Sequence, residues 1–165
     1  MAANEGRAWV YGDDIDTDVL APGKLMKFGI DEIAKHCLEA VDPGFAAAVR
    51  AGDVVVGGRN FGMGSSREQA PQALKHLGVD ALIAESFAGL FYRNALNLGL
   101  VALTTPEAKK IRKGDHVTCD PAAGRIVNHT TGETYACEPL PPHLLAMVRD
   151  GGLLPHLEKR LANKP

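Results

Sequence analysis

Cysteine is scarce in this 165-residue sequence: Cys37, Cys119 and Cys137 lie far apart, odd in number and without a C-x-x-C pair. That spacing argues against a metal or iron–sulfur centre held by this chain alone, because such centres draw closely spaced thiolates from one loop. The three thiols read instead as small buried hydrophobes. No apolar run approaches the ~20 residues that cross a bilayer, and Met1–Arg7 (MAANEGR) lacks the basic-then-apolar order of a secretory leader. We therefore expect a cytoplasmic chain. Neither sign of charge dominates, with 18 Lys and Arg against 20 Asp and Glu, a formal charge of -2, and no basic block. A partnership with nucleic acid or a membrane surface is disfavoured.

Familiar ligand signatures are missing too. Where a Rossmann G-x-G-x-x-G needs its last glycine, Arg67 stands, and there is no G-K-[ST] of a Walker loop and no G-x-S-x-G elbow. The six histidines, His36, His76, His116, His129, His143 and His156, show no H-E-x-x-H or similar spacing and read as surface or structural residues. The acidic run GDDIDTD fails the calcium-loop pattern, leaving turn and capping duties for Asp13, Asp14, Asp16 and Asp18.

What is present is the material of one domain: 45% hydrophobic residues in a chain long enough to bury roughly 70% of its unfolded surface. Arg7–Tyr11 reads as a first strand, and the polar stretch Asp13–Lys27 reads as a long irregular loop of the kind that is more often functional than idle. Apolar spacing predicts a helix over Gly29–Ala40 and a short one over Pro43–Arg50. Then comes an alternation of strand (Asp53–Val56), loop (Asn60–Ser66), helix (Arg67–His76, closed by Gly78), strand (Val79–Ala84), helix (Phe87–Leu98, with Ser86 as N-cap) and strand (Leu100–Thr104). Such alternation favours a mainly parallel α/β arrangement. His116–Asp120, Arg125–His129 and Thr134–Glu138 predict a β-meander, followed by a helix opened by Pro141 and Pro142 and running through Arg149, and another over Leu153–Leu161. We expect a single domain over residues 1–165 with flexible ends at 1–6 and 162–165.

The segment richest in chemistry is Gly62-Met63-Gly64-Ser65-Ser66-Arg67-Glu68. Glycines allow close approach by a ligand, helix-start amides favour an anion, and an arginine grips a carboxylate with a planar fork. A small carboxylate or phosphate fits. The alternative is a capping box, Ser65-x-x-Glu68, although Pro71 makes a regular helix from Ser65 awkward.

Taken together, GDDIDTDVLAPGK and GGRNFGMGSSREQAPQALKHLGVDALIAESFAGLFYRNALNLGL resemble the small subunits of 3-isopropylmalate dehydratases, in the aconitase superfamily. The resemblance spans about Trp9 to Leu161. It implies a three-layer β/β/α swivel domain of the aconitase C-terminal-domain type, and a hydro-lyase active only as a complex with a large subunit. That subunit would carry a [4Fe-4S] cluster on its own cysteines. The implied reaction moves a hydroxyl between adjacent carbons of a hydroxy-dicarboxylic acid by dehydration and rehydration, as in leucine biosynthesis.

By the same resemblance Ser65 matches the catalytic base, and its alkoxide needs stabilising by nearby amides and by Arg67. Ser66 and Arg67, with Gly64 beside them, match positions that bind substrate carboxylate, and Asp18 matches an aspartate near the site. Leu25, Met26 and Lys27 fall in the loop that selects the substrate, where related chains often carry a Tyr-Leu-Arg-Thr-like segment. Lys27 offers a distal carboxylate only a point charge. Met63 replaces a common Cys or Glu, and Gln69 a usual His. These departures bring other alkyl malates, such as dimethylmalate, and a homoaconitase-like substrate into competition. A non-catalytic carboxylate-binding module is the alternative from another class.

Overall fold

The structure, a computed structural model, describes residues 6–163. Seven strands, β1 (Gly6–Val10), β2 (Val54–Val56), β3 (Ala81–Ala84), β4 (Val101–Thr104), β5 (His116–Asp120), β6 (Arg125–Asn128) and β7 (Thr134–Ala136), lie in the order β4-β3-β2-β1-β5-β6-β7. The first four are parallel and the last three form the expected antiparallel meander. β1 serves both halves: Ala8–Val10 pair in parallel with Val54–Val56, while Gly6 and Arg7 pair antiparallel with Val117 and His116.

Side-chain alternation with period two converts this order into layers. Trp9, Val55, Leu82, Ala84 and Ala102 point into one core with the buried faces of α2 (Ile30–Ala34), α3 (Phe45–Ala48) and α4 (Gln69–His76). Their neighbours Ala8, Val54, Val56, Ala81, Ile83 and Leu103 point into a second core, against Val117, Ile126 and Tyr135 of the meander. The parallel sheet is thus covered by helices on one face and by β5–β7 on the other, a β/β/α sandwich. α5 (Gly89–Asn97) contributes to both cores through Phe91 and Leu96, and α6 (Pro142–Arg149) and α7 (Leu153–Ala162) complete the chain.

Several expected boundaries change. The loop Asp13–Lys27 contains a helical turn, α1 (Thr17–Leu20), because the Asp16 carboxylate accepts the Val19 N–H at 2.8 Å as an N-cap; a 3-10 turn follows at Gly23–Leu25. The helix from Gly29 stops at Ala34, since the chain turns so that the Leu38 amide can donate to the Val19 carbonyl at 2.9 Å. Ser86 caps no helix. Its hydroxyl accepts the Asn60 N–H at 2.9 Å, and α5 begins only at Gly89. Of the ends expected to be flexible, residues 1–5 and 164–165 lie outside the described residues; Gly6 opens β1 and Ala162 closes α7.

Candidate active site

The carboxyl ends of β1 and β2 lead into two loops that are stitched to each other. Asp13 accepts the Arg59 amide at 2.7 Å, and the Asn60 side-chain amide donates to Asp14 at 3.1 Å. Gly62 donates to the Ile15 carbonyl at 2.7 Å, and Thr17 to the Met63 carbonyl at 2.9 Å. The acidic run therefore does the turn and capping work expected of it, and in doing so fixes the path of residues 60–66. Gly62 has φ +85° and lies so close to Phe91 that a Cβ would overlap the ring; Gly64 has φ +99°, with Thr17 Oγ1 3.3 Å from where its Cβ would be. Only glycine suits this backbone.

The loop delivers Ser65 and Ser66, both exposed, to the rim of a cavity of about 200 Å³. Facing them are the first turns of α5, Ala88 to Phe91, with Asn94. α4 begins after the serines, at Gln69, and its N-cap Glu68 makes no side-chain capping bond, so the capping box does not form. Pro71 then stands third in the helix, where its missing N–H removes nothing, since the first amides of a helix have no internal acceptor. From Gly64 to Gln69, no amide finds an acceptor among the described residues. The first amides of α5 are orphaned in the same way. The N-terminus of α5 and the free amides of Gly64 to Arg67 thus border one small cavity, an environment that stabilises an anion.

Arg67 completes the electrostatics. Its Nη1 donates to Asp18 Oδ1 and to the Ala21 carbonyl, both at 3.1 Å, and its side chain is three-quarters buried. Asp18 also accepts the Gly23 amide at 2.7 Å; that bond first, and Arg67 second, hold its carboxyl below the usual carboxylate range. Asp18 lines a neighbouring hollow of about 330 Å³ with Gly23 and Lys24, so it meets the serine cavity through Arg67. Ser65, Ser66, Gly64 and Arg67 are brought together. The loop over residues 25–28 stands apart: Leu25 and Met26 pack onto the helical core, and the exposed Lys27 lies over the Phe28 ring at 5.5 Å.

Residues 45–108 match the aconitase C-terminal domain family. The chain is 45% identical over 159 residues to the 3-isopropylmalate dehydratase small subunit of Moorella thermoacetica, covering 95% of this chain and 96% of that one. The chain belongs to the 3-isopropylmalate dehydratase small-subunit family. The chain is also 49% identical over 158 residues to the methanogen homoaconitase small subunit of Methanothermobacter thermautotrophicus, covering 94% of this chain and 91% of that one. A crystal structure of 3-isopropylmalate dehydratase from Methanocaldococcus jannaschii superposes with a TM-score of 0.91 at 41% identity, over 98% of this chain and 96% of that one. The β/β/α layers are therefore those of the aconitase swivel domain.

Among the described residues no group of three His, Cys, Asp or Glu is placed to hold a metal ion. Burial pushes all three thiols up, Cys119 to about 12 and Cys137 to about 11. Among the described residues, no helix is long and apolar enough to cross a membrane.

The wall of the cavity formed by α5 escaped the sequence reading. Placing the helix start at Phe87 put Gly89 and Leu90 inside the helix rather than at its first two positions. The signal was Gly89 itself, a poor residue for a helix interior and a tolerable one at its first position.

Proposed function

We propose that the chain is the small subunit of a hydro-lyase that interconverts 2- and 3-isopropylmalate by dehydration and rehydration. It works only when a large subunit closes the site. The observation that carries this reading is the convergence of Ser65, Ser66 and Arg67 with unpaired amides on one small cavity.

Dehydration takes a proton from the carbon next to the one that loses hydroxide. Ser65 is the base in this scheme. A serine hydroxyl is far too weakly acidic for the task in water, and the free amides of residues 64–69 supply what it lacks by stabilising the alkoxide. Ser66 and Arg67 hold a substrate carboxylate: Arg67 spends Nη1 on Asp18 and Ala21, which orients the guanidinium and leaves its other donors for the ligand. Asp18 is the group that sets this orientation. The large subunit supplies the [4Fe-4S] cluster, whose chemistry is Lewis-acid assistance to the departing hydroxide.

A second reading, a homoaconitase-type substrate, is favoured by the 49% identity to the methanogen homoaconitase small subunit. Anaerobic co-purification of the chain with its large subunit, followed by hydration assays on isopropylmaleate and cis-homoaconitate, separates the two. We expect preference for isopropylmaleate and a loss of at least about a hundredfold in kcat for Ser65→Ala. Most of the turnover surviving in Ser65→Ala removes Ser65 as the base; a preference for cis-homoaconitate replaces the substrate.

A further inference from the structure

We propose that Thr17 is a further catalytic residue, its side-chain hydroxyl donating a hydrogen bond to the Ser65 alkoxide. This rests on the dehydratase reading above and deepens it, adding a side-chain donor to the amides that serve the same base. The acidic side chains around Thr17 are all employed. Asp13 accepts the Arg59 amide, Asp14 the Asn60 side chain, Asp16 the Val19 amide, and Asp18 the Gly23 amide and Arg67. Thr17 is different: it is 3% exposed, yet its hydroxyl has no hydrogen-bond partner among the described residues. Burying a hydroxyl without a partner destabilises a fold, and valine has nearly the same shape without that penalty.

The hydroxyl has an open side. Among the described residues no fully enclosed side-chain nitrogen or oxygen lacks a partner, so Thr17 Oγ1 reaches free space, and the space that Thr17 lines is the cavity of Ser65, Ser66 and Arg67. Two contacts aim it at the serine loop. The Thr17 amide donates to the Met63 carbonyl at 2.9 Å, which pins residue 17 against the loop two residues before Ser65. Gly64, the next residue, has no side chain, and Thr17 Oγ1 lies 3.3 Å from where its Cβ would be. Branching at Cβ restricts the threonine to few rotamers, so the hydroxyl is held there rather than swinging free. Arg67 and Ser66 meet the substrate carboxylate, which leaves Ser65, bonded to Gly64, as the nearer anion for this donor. In the reaction the C–H bond breaks, its proton passes to the Ser65 oxygen, and its electron pair forms the double bond as hydroxide departs. Thr17 keeps its own proton throughout. Its work is to favour the charged form of Ser65 beforehand, and a donor that lowers that pKa by one unit makes the alkoxide about tenfold more abundant at any pH below it.

The test uses the assembled enzyme with Thr17→Val, which keeps the branched shape and deletes the hydroxyl, and Thr17→Ser, which keeps the hydroxyl. Thr17→Val should lower kcat about tenfold with KM unchanged. The deficit should narrow as pH rises, because a base of raised pKa recovers in alkali, and Thr17→Ser should restore most of the rate. The urea midpoint of the chain should not fall in Thr17→Val, since the deleted group has no protein partner to lose. An unchanged kcat, a raised KM with kcat intact, a deficit that is the same at every pH, or a fall in the urea midpoint that accounts for the lost rate each overturns the assignment to Thr17 while leaving the dehydratase reading intact. Absence of turnover by the unaltered complex on any hydroxy-dicarboxylic acid overturns both.

Discussion

Replacing Gly62 with alanine tests whether the serine loop is held by sterics or merely rests against α5. Gly62 has φ +85°, and a Cβ there would come within 2.5 Å of Phe91 Cβ and Cδ1. The left-handed backbone costs an L-residue roughly 1–2 kcal/mol. Relief of the overlap requires Phe91 to move, and overpacking of a filled core costs typically about 1–3 kcal/mol. Phe91 cannot move freely, because it is 3% exposed and packs edge-on against Phe61 and stacked on Phe87. The two costs sum to about 2–5 kcal/mol, a large share of the ~5–15 kcal/mol that stabilises an ordinary domain. Urea unfolding followed by far-UV circular dichroism and by the emission of Trp9, the single tryptophan, measures the loss directly. Gly12→Ala is the control, because a Cβ at Gly12 meets nothing within 4 Å and its φ is not positive; it should change stability by less than about 1 kcal/mol. A Gly62→Ala variant no less stable than Gly12→Ala would refute the steric account of how this loop is shaped.

Three further outcomes are expected. Arg67→Lys in the assembled enzyme should raise KM about tenfold, because an ammonium replaces the planar fork; steady-state kinetics with unchanged KM would remove Arg67 from carboxylate binding. Asp18 contributes stability that is present above its unfolded pKa and is lost as pH falls through its lowered folded pKa, since the Gly23 amide and Arg67 favour the charged form. The stability gap between the native chain and Asp18→Asn should therefore close as pH drops below about 3.8, and a gap that persists in acid would mean that the two bonds are not what Asp18 supplies. Asp53 is 5% exposed and accepts N–H groups from Trp9 at 2.9 Å, Arg50 at 2.9 Å and Arg7 at 3.2 Å. Asp53→Ala strands these donors and should cost about 2–4 kcal/mol in the same urea experiment, and a cost under 1 kcal/mol would mean that water replaces the carboxylate.

Local pattern made much of this protein legible. The apolar runs VVV and ALIA read as buried strands, and the glycines after the first, with the turns Pro-Ala-Ala-Gly and Thr-Thr-Gly, marked where strands end; the α/β half and the meander followed. Pro71 showed in advance that the helix could not run regularly from Ser65, and α4 does start four residues later. Ser65, Ser66 and Arg67 are contiguous in the chain, so any folding of that loop keeps them neighbours, and their chemistry was visible from residue type alone.

Contacts between distant segments were decided only by the tertiary structure. The N-cap that turns residues 17–20 helical is local, but the path of the loop depends on Gly62 donating to Ile15 and Asn60 reaching Asp14, pairs more than forty residues apart. Ser86 shows why such contacts defeat a local reading. Serine before a helix normally caps it, yet here a stronger claim on its hydroxyl came from Asn60 in another loop, and the helix start moved to Gly89. That shift of two residues brings Gly89 and Leu90 to the first turn of α5, in the wall of the cavity that Ser65 lines. Periodicity and residue chemistry act over a few residues and can be read along the chain; which side chains meet across a cavity depends on how sheets and helices pack, and that is set by the summed burial of two cores rather than by any single segment.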